Sequence, residues 1–195
     1  MKRKIQHIFG AIAIAAAALS ACTEHVDTSA RYVFKEETIA SYLAKNAQYS
    51  EFVKLMNMVP VSEMSESTVG QLLAARGNYT CFAPTNEAID KYLQKLTEEG
   101  LISAPTWESF PSPHKLDSIR AVVVLNSVID GGDVTQYSTW DFPTETNGEF
   151  PLSNMNDRRL TVRYVNDPDS IYLNYDCPVS VRNRDIPAIN GTIHC

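Results

Sequence analysis

Two short amphipathic helices are predicted after residue 37, because apolar residues recur there at intervals of three and four positions. Thr38 and Ser50 precede the two apolar stripes and are the candidate N-caps, since a hydroxyl can accept a hydrogen bond from the first helical turn. Pro60 ends the second helix, because proline lacks the N–H that a helix interior requires. The stripes are Ile39, Leu43 and Ala47 in the first helix and Phe52, Val53 and Met56 in the second.

A strand that leads directly into a helix is predicted around Pro84. Residues 79–83 are rich in residues that favour strands, and Pro84 ends that run. Thr85 follows as a candidate N-cap. One helical face after it is apolar, at Ile89, Tyr92, Leu93 and Leu96.

The segment 97–115 contains Gly100 and three prolines, so we expect it to be irregular and exposed. A further helix is predicted to begin with Asp117 or Ser118 as its N-cap. Glycines at 131–132 are expected to end it.

Short strands dominate the rest of the chain. They are predicted at 160–165, 171–173 and 179–182, and turns rich in Asn, Asp and Pro separate them, which indicates a β-meander. The pair at 190–191, Asn-Gly, predicts a tight type I′ turn. Helices followed by strands predict an α+β domain and not a doubly wound sheet.

The first residues have the pattern of an export signal. Three basic residues (2–4) precede an uncharged run from Ile8 to Ala21, which is shorter than the roughly 20 apolar residues that span a bilayer. The block Leu-Ser-Ala-Cys at 19–22 resembles the lipobox of bacterial lipoproteins, which implies cleavage before Cys22 and acylation of its sulfur. A plain signal peptide with a chance cysteine is the alternative.

Three segments are therefore predicted: a signal peptide over 1–21, an acylated N-terminus and polar tether over 22–35, and a globular domain over 36–195. The protein is expected in the bacterial cell envelope, held to the membrane by a permanent lipid anchor. Resemblance to lipoprotein sorting patterns, with Thr23 after the cysteine, favours the outer membrane and leaves its face open.

The charge balance excludes a nucleic-acid binder as a leading function. The chain has 17 Lys and Arg against 23 Asp and Glu, a net charge of −6, whereas a phosphate backbone requires a basic surface. Besides Cys22, the three cysteines Cys81, Cys177 and Cys195 allow at most one disulfide, and all three have contexts typical of small apolar core residues. Without Cys-x-x-Cys or clustered histidines, no metal site or cofactor is predicted.

Two separated motifs carry a family resemblance. Residues 79–89 read Tyr-Thr-Cys-Phe-Ala-Pro-Thr-Asn-Glu-Ala-Ile, and residues 185–194 read Asp-Ile-Pro-Ala-Ile-Asn-Gly-Thr-Ile-His. They resemble the two signatures of fasciclin (FAS1) domains, in the same order and at the expected distance. The resemblance covers about residues 36 to 195 and implies a β-sandwich or wedge with a packed cluster of short helices.

Most motif residues are expected to build the fold and not to touch a ligand, with a hydrogen bond between Asp185 and His194 across the last hairpin. Many relatives carry a Tyr-His or Asn-His pair tied to adhesion, but this chain has Asn126 and Ser127 there. Relatives also continue beyond the position of Cys195, which leaves open a truncated last strand or a longer protein. The motif residues expected to be mainly structural are Phe82, Pro84, Thr85, Asn86, Asn190, Gly191 and His194.

The resemblance implies a non-catalytic adhesion or binding module for a glycan or a protein. Exposed aromatic rings are the candidate contact face, because they stack on sugars and anchor protein contacts. In the alternative, these rings pin long insertions onto the domain. The predicted ligand contacts are Trp107, Phe110 and Trp140 with Asp185 and Ile186 of the second motif, and the candidate face also includes Tyr137, Phe142 and Phe150.

Two other function classes remain. The domain could instead be a structural or assembly subunit of an outer-membrane nutrient-uptake or surface complex. An enzyme is disfavoured because no nucleophile, zincin or phosphate-loop motif occurs, although Ser127, Asp185 and His194 together would supply a nucleophile, an acid and a base. The identity of the ligand and the oligomeric state do not follow from the sequence.

Overall fold

A computed structural model describes residues 37–133, 135–165, 167–174 and 176–195, without the side chains of 167–169. Cys22, the predicted signal peptide and the predicted tether lie outside these residues. Among the helices described, none is long and apolar enough to cross a membrane.

The helices and strands alternate irregularly along the described chain. The α-helices are α1 (Ile39–Lys45), α2 (Ser50–Met58), α3 (Val69–Ala74), α4 (Asn86–Glu98) and α5 (Pro113–Asn126). Short 3-10 turns occur at Ala47–Tyr49, Trp107–Ser109 and Thr139–Asp141. The strands are β1 (Tyr79–Phe82), β2 (Val128–Asp130), β3 (Gly148–Ser153), β4 (Arg159–Val165), β5 (Asp167–Leu173), β6 (Cys177–Pro178), β7 (Ile186–Ala188) and β8 (Gly191–His194).

The strands form two four-stranded sheets. In the first, the order is β2-β1-β8-β7, and β1 runs parallel to β8 but antiparallel to β2. In the second, β3, β4, β5 and β6 form an antiparallel meander. The predicted α+β class is therefore confirmed. The two fasciclin-like motifs meet in the first sheet, where Cys81 of β1 lies beside Ile193 of β8.

Helix caps account for most of the helix starts. Thr38 accepts the N–H of Ser41 and Thr85 accepts that of Ala88, so both predicted N-caps are confirmed. The predicted cap at Ser50 is wrong, because Ser50 is the first helical residue of α2. The N–H of Glu51 is satisfied instead by the side-chain oxygen of Asn86, from the start of α4.

Helix α5 begins earlier than its sequence predicts. Its N-cap is Ser112, and Pro113 occupies the first helical turn. A proline is accommodated there because the first N–H groups of a helix have no partner inside it. The predicted caps Asp117 and Ser118 are wrong, and the residues before Gly131 form strand β2 where a helix end was predicted.

The chain buries two apolar clusters. The first lies between the helices and the first sheet and includes Tyr49, Phe52 and Ile193. The second surrounds Phe150 in the second sheet, and it contains Tyr137 and Phe142. The expectation of an exposed aromatic face is therefore wrong for these three rings, because they fill the second core and pin the long 131–147 connection onto it.

The last hairpin differs from the predicted type I′ turn. Such a turn needs positive φ at both central residues, and Asn190 is not among the residues with positive φ. Gly191 is required for a different reason, since a Cβ there would lie 2.0 Å from the carbonyl oxygen of Tyr79. The final strand of the meander is also displaced, to Cys177–Pro178 from the predicted 179–182, and β3 was not predicted.

Candidate functional site

His194 is fully buried at the end of β8, where its ring stacks on Phe82 with centroids 5.3 Å apart. Its Nδ1 accepts the backbone N–H of Asp185 at 3.3 Å, so Nε2 carries the proton and donates to the carbonyl oxygen of Tyr137 at 2.9 Å. Burial lowers the pKa of His194, and the ring is neutral. Both ring nitrogens are thus used inside the fold.

Asp185 precedes β7 and binds the connection that contains Thr139. Its two carboxylate oxygens accept the backbone N–H and the hydroxyl of Thr139, both at 2.6 Å. The nearer carboxylate oxygen lies 3.9 Å from Nδ1 of His194. The two motif residues therefore hydrogen-bond through the backbone N–H of Asp185, and the carboxylate serves Thr139.

A catalytic triad of Ser127, Asp185 and His194 is not assembled. The hydroxyl of Ser127 donates to the carbonyl oxygen of Val123 in the preceding helical turn. Since Nδ1 of His194 already accepts the N–H of Asp185 and Nε2 donates to a backbone carbonyl, neither ring nitrogen is free to accept the serine proton.

The motif asparagines connect helices to neighbouring segments. The amide of Asn190 donates to the carbonyl oxygens of Leu73 and Ala75, and its oxygen accepts the N–H of Ile39. Asn86 likewise donates to the carbonyl oxygen of Ala47 and bonds to the first turn of α2. Each asparagine replaces backbone hydrogen bonds that a helix end lacks.

The remaining motif positions shape the corner between β1 and α4. Pro84 lies between the strand and the cap residue Thr85. The ring of Phe82 contacts Phe142 and Phe150 with centroids 6.0 and 5.9 Å apart, which joins the first sheet to the second core.

The five predicted ligand contacts lie in different surroundings. Trp107 stacks on Phe110 with centroids 6.0 Å apart, and both are half-buried against the first core. Trp140 is 93% exposed and follows Thr139, which donates to Asp185. Ile186 is half-buried in β7, opposite Ile193. The structure therefore brings Trp140 and Asp185 into one neighbourhood, while Trp107 and Phe110 form a separate stacked pair.

A polar cleft of about 730 Å³ opens between the C-terminal half of α5 and the second sheet. Helix α5 contributes Val122 and Asn126, and the β3–β4 hairpin contributes most of the opposite wall. The lining side chains are four asparagines, two arginines, one glutamate and one valine: Asn126, Asn154, Asn156, Asn174, Arg158, Arg159, Glu149 and Val122.

Asn154 organises the wall of this cleft. It is 3% exposed, and its oxygen accepts the N–H groups of Asn156 and Arg158 in the β3–β4 turn. Its amide nitrogen donates to the side-chain oxygen of Asn126 at 3.2 Å, and that of Asn156 donates to the same oxygen at 3.0 Å. The turn and the end of α5 are thereby held together, which fixes the shape of the cleft.

The sequence did not reveal this cleft. Residues 154–159 have the pattern of a polar turn before a strand, and nothing in their spacing relates them to Asn126 or Asn174. Two adjacent arginines in an acidic chain are the signal that was available.

The cysteines and metal-binding side chains add no further site. Cys81 is buried, Cys177 is exposed, and all three described cysteines are free thiols. Cys195 lies with its sulfur 2.7 Å from the hydroxyl of Tyr49, and burial raises the pKa of both groups. In the described part of the chain, no three His, Cys, Asp or Glu side chains are grouped to hold a metal ion.

Comparison with known proteins gives two positive findings. A fasciclin domain model matches residues 47–195. The fold is similar to that of a FAS1 domain pair from the insect cell adhesion molecule Fasciclin I, with a TM-score of 0.53 and 17% identity. That match covers 81% of this chain and 48% of the solved chain, so this chain spans about half of its length. The comparison with curated proteins found no match.

Proposed function

The chain belongs to the fasciclin domain family, and we propose that it is a non-catalytic adhesion or binding module of the bacterial cell envelope. In this proposal Cys22 carries a lipid anchor, and the domain binds a glycan or a protein through the cleft between α5 and the β3–β4 hairpin. The likeness to an insect cell adhesion molecule supports the fold of this module.

The observation that carries the proposal is the cleft. A volume of about 730 Å³ is within the range of about 300–1,000 Å³ that ligand sites occupy. Its wall is held in place by hydrogen bonds among Asn126, Asn154 and Asn156. A pre-formed wall loses little side-chain entropy on binding, which favours affinity.

The chemistry of the cleft supports binding without catalysis. Among the described residues, its lining contains no serine, cysteine, histidine or lysine that could act as a nucleophile, and Glu149 is its one carboxylate. A single carboxylate lacks the second carboxylate that most glycoside hydrolases use. The buried His194 has both ring nitrogens in internal hydrogen bonds.

A bulky side chain in the cleft tests this function. Val122 is 38% exposed on α5 and lines the cleft, so Val122→Trp fills the space without altering its charge. Ser118→Trp, exposed on the same helix and outside the lining, is the matched control. The full chain in detergent, applied to a glycan array and to envelope protein fractions, should lose at least tenfold in binding with the first variant and keep it with the second. Equal binding by both variants would exclude the cleft.

The anchor requires its own measurement. Mass spectrometry of the membrane-extracted protein should find Cys22 as the first residue, with acyl chains on it. Cys22→Ser should release the protein from the membrane fraction. An unprocessed N-terminus in the wild-type product would contradict this part of the proposal.

A second candidate function is docking within an envelope complex, and the exposure of Trp140 favours it. A tryptophan that is 93% exposed is a typical centre of a protein contact. If the domain is such a subunit, it should co-purify with a stoichiometric protein partner, and Trp140→Ala should release that partner. Retention of the partner by this variant would exclude docking through Trp140.

A further inference from the structure

We propose that the cleft between α5 and the β3–β4 hairpin recognises a carboxylate-bearing sugar, that is, a uronic-acid unit of an acidic glycan. This inference rests on the proposed binding function and names the ligand class for the same cleft. It assigns the carboxylate of the sugar to Arg158 and Arg159, and the sugar hydroxyls to the asparagines around them.

The local charge of the cleft opposes that of the whole chain. The protein has a net charge of −6, but the cleft is lined by two arginines against one glutamate. A positive cleft within a negative surface attracts an anion at that one place, which favours binding of the anion in the cleft over other parts of the surface.

Arg158 is the cation that is available to a ligand. It is exposed, and it forms no ion pair with any carboxylate that the structure describes. Arg159 lies 3.9 Å from Glu149, and both side chains are more than half exposed. Such a pair is weak, so an incoming carboxylate can compete for the guanidinium. A guanidinium group binds a carboxylate through two parallel N–H donors.

The unused hydrogen-bonding groups of the cleft are mostly donors. The oxygens of Asn126 and Asn174 already accept hydrogen bonds inside the protein, which leaves their NH₂ groups without a partner among the described residues. The side-chain oxygen of Asn156 also has no hydrogen-bond partner among the described residues, while its side-chain nitrogen donates to Asn126. Two amide donors, two guanidinium groups and one amide acceptor match a ligand that is rich in oxygen acceptors and has a few hydroxyl donors.

The same lining disfavours an acidic peptide. Arginine clusters also bind acidic peptide motifs, but peptide grooves add apolar pockets for the neighbouring side chains or an open strand edge. Val122 is the one apolar side chain among the described lining residues. A uronic acid presents a carboxylate and several hydroxyls on a compact ring, which matches a small polar cleft.

The test uses trigalacturonate as the probe and its methyl ester as the neutral control with the same hydroxyls. Isothermal titration calorimetry with the full chain in detergent should give at least tenfold tighter binding for the acid. Arg158→Gln and Arg159→Gln should each weaken binding of the acid about tenfold and leave that of the ester unchanged. Arg76→Gln, exposed and outside the cleft, is the matched control and should change neither.

Two further measurements sharpen the test. Glu149→Gln should tighten binding of the acid several-fold, because it removes the anion of the cleft and releases Arg159. Raising the ionic strength should weaken binding of the acid more than that of the ester, since salt screens the exposed charges.

Several results would overturn the inference. These are equal binding of the acid and the ester, no binding of trigalacturonate, binding that survives both arginine substitutions, or a hexaglutamate peptide that competes as well as the sugar. If another ligand still binds and Val122→Trp still abolishes its binding, the proposed function stands while the acidic-sugar inference fails. If no ligand responds to Val122→Trp, the proposed function fails as well.

Discussion

The carboxylate of Asp185 accepts two hydrogen bonds from Thr139, one from the backbone N–H and one from the hydroxyl, each at 2.6 Å. These bonds join the residue before β7 to the long connection after β2. His194 binds the same connection, because its Nε2 donates to the carbonyl oxygen of Tyr137. The closing motif of the fold therefore holds the middle segment of the chain in place, which explains its polar residues without a ligand.

Removal of the Asp185 carboxylate should destabilise the domain. Asp185→Ala loses both bonds, leaves the N–H of Thr139 without its acceptor, and places alanine at a φ of +56°. We expect the free energy of unfolding to fall by about 2–4 kcal/mol, since bonds to a charged acceptor are among the stronger ones. Urea denaturation followed by circular dichroism measures this change.

Two variants separate the contributions at this site. Asp185→Asn tolerates positive φ and keeps one acceptor oxygen, so it should cost about 1–2 kcal/mol. Thr139→Val removes the hydroxyl bond alone and should cost about 1 kcal/mol. If Asp185→Ala is no less stable than Thr139→Val, the hydrogen bond from the backbone N–H of Thr139 to the Asp185 carboxylate contributes nothing to stability.

A methyl group at position 191 should be far more damaging than one at position 132. Gly191 passes so close to β1 that a Cβ would lie 2.0 Å from the carbonyl oxygen of Tyr79 and 2.8 Å from Ile39. Gly191→Ala must displace the parallel pairing of β1 and β8, so we expect a loss of about 3 kcal/mol or more.

Gly132 provides the matched control. It has a φ of +57°, and a Cβ added there would have no neighbouring atom within 4 Å among the described residues. Gly132→Ala therefore carries only the backbone strain, about 1 kcal/mol. Guanidinium denaturation of both variants measures the difference. Similar losses would mean that the close approach at Gly191 is not what requires glycine.

The sequence predicted those elements whose signals are local. Thr85 and the stripe from Ile89 to Leu96 specify α4 because a cap and an apolar face act within one helix. Pro113 shows the limit of this reasoning. It contributes to the prediction of an irregular segment, yet it begins α5, since the effect of proline depends on where the helix starts.

Non-local features were not predictable in the same way. The burial of Phe142 and Phe150 depends on how the 131–147 connection folds over the second sheet, and nothing in the local pattern separates a core ring from an exposed one. The cleft is similar, because Asn126 and Asn154 are 28 positions apart and meet only in the folded domain. The spacing of apolar residues and the helix caps predict individual helices and strands. A site formed between helices and strands depends on how they pack together.

The domain should become less stable as the pH decreases, because His194 titrates. Burial lowers the pKa of His194 below its ordinary value of 6.5, with partial offsets from its bond to Tyr137 and from the nearby Asp185 carboxylate. Below about pH 6.5 the unfolded chain takes up a proton that the folded chain excludes, so acid favours unfolding. The free energy of unfolding should decrease from pH 7 to pH 5, by up to about 1.4 kcal/mol per unit.

His194→Asn should flatten this dependence at a cost in stability, because the asparagine does not titrate. His194→Gln is a second variant in case the first fails to fold, and His114→Gln, at an exposed site, should retain the slope of the wild type. Glu87 and Asp141, whose pKa values are lowered by their hydrogen-bond partners, contribute below this pH window. A slope that persists in both His194 variants would assign the acid sensitivity to other groups.

Truncation of Phe150 should destabilise the domain far more than truncation of Trp140, although the sequence places both on one candidate aromatic face. Phe150 is fully buried against Tyr137 and Phe142, so Phe150→Ala should cost about 3–5 kcal/mol. Trp140 is 93% exposed, so Trp140→Ala should stay within about 0.5 kcal/mol of the wild type. Thermal and urea unfolding of both variants measure these values.

The binding of Trp140→Ala then decides between two surfaces. If glycan recognition occurs in the cleft of Asn126 and Arg158, this variant should bind glycans as tightly as the wild type, because the indole of Trp140 does not line the cleft. A tenfold loss of glycan binding at unchanged stability would instead place the sugar on the exposed indole, where aromatic stacking supplies the affinity. Since the substitution leaves the core intact, a loss of binding cannot be attributed to unfolding. Unchanged binding excludes the indole as the sugar site, and Val122→Trp then tests the cleft.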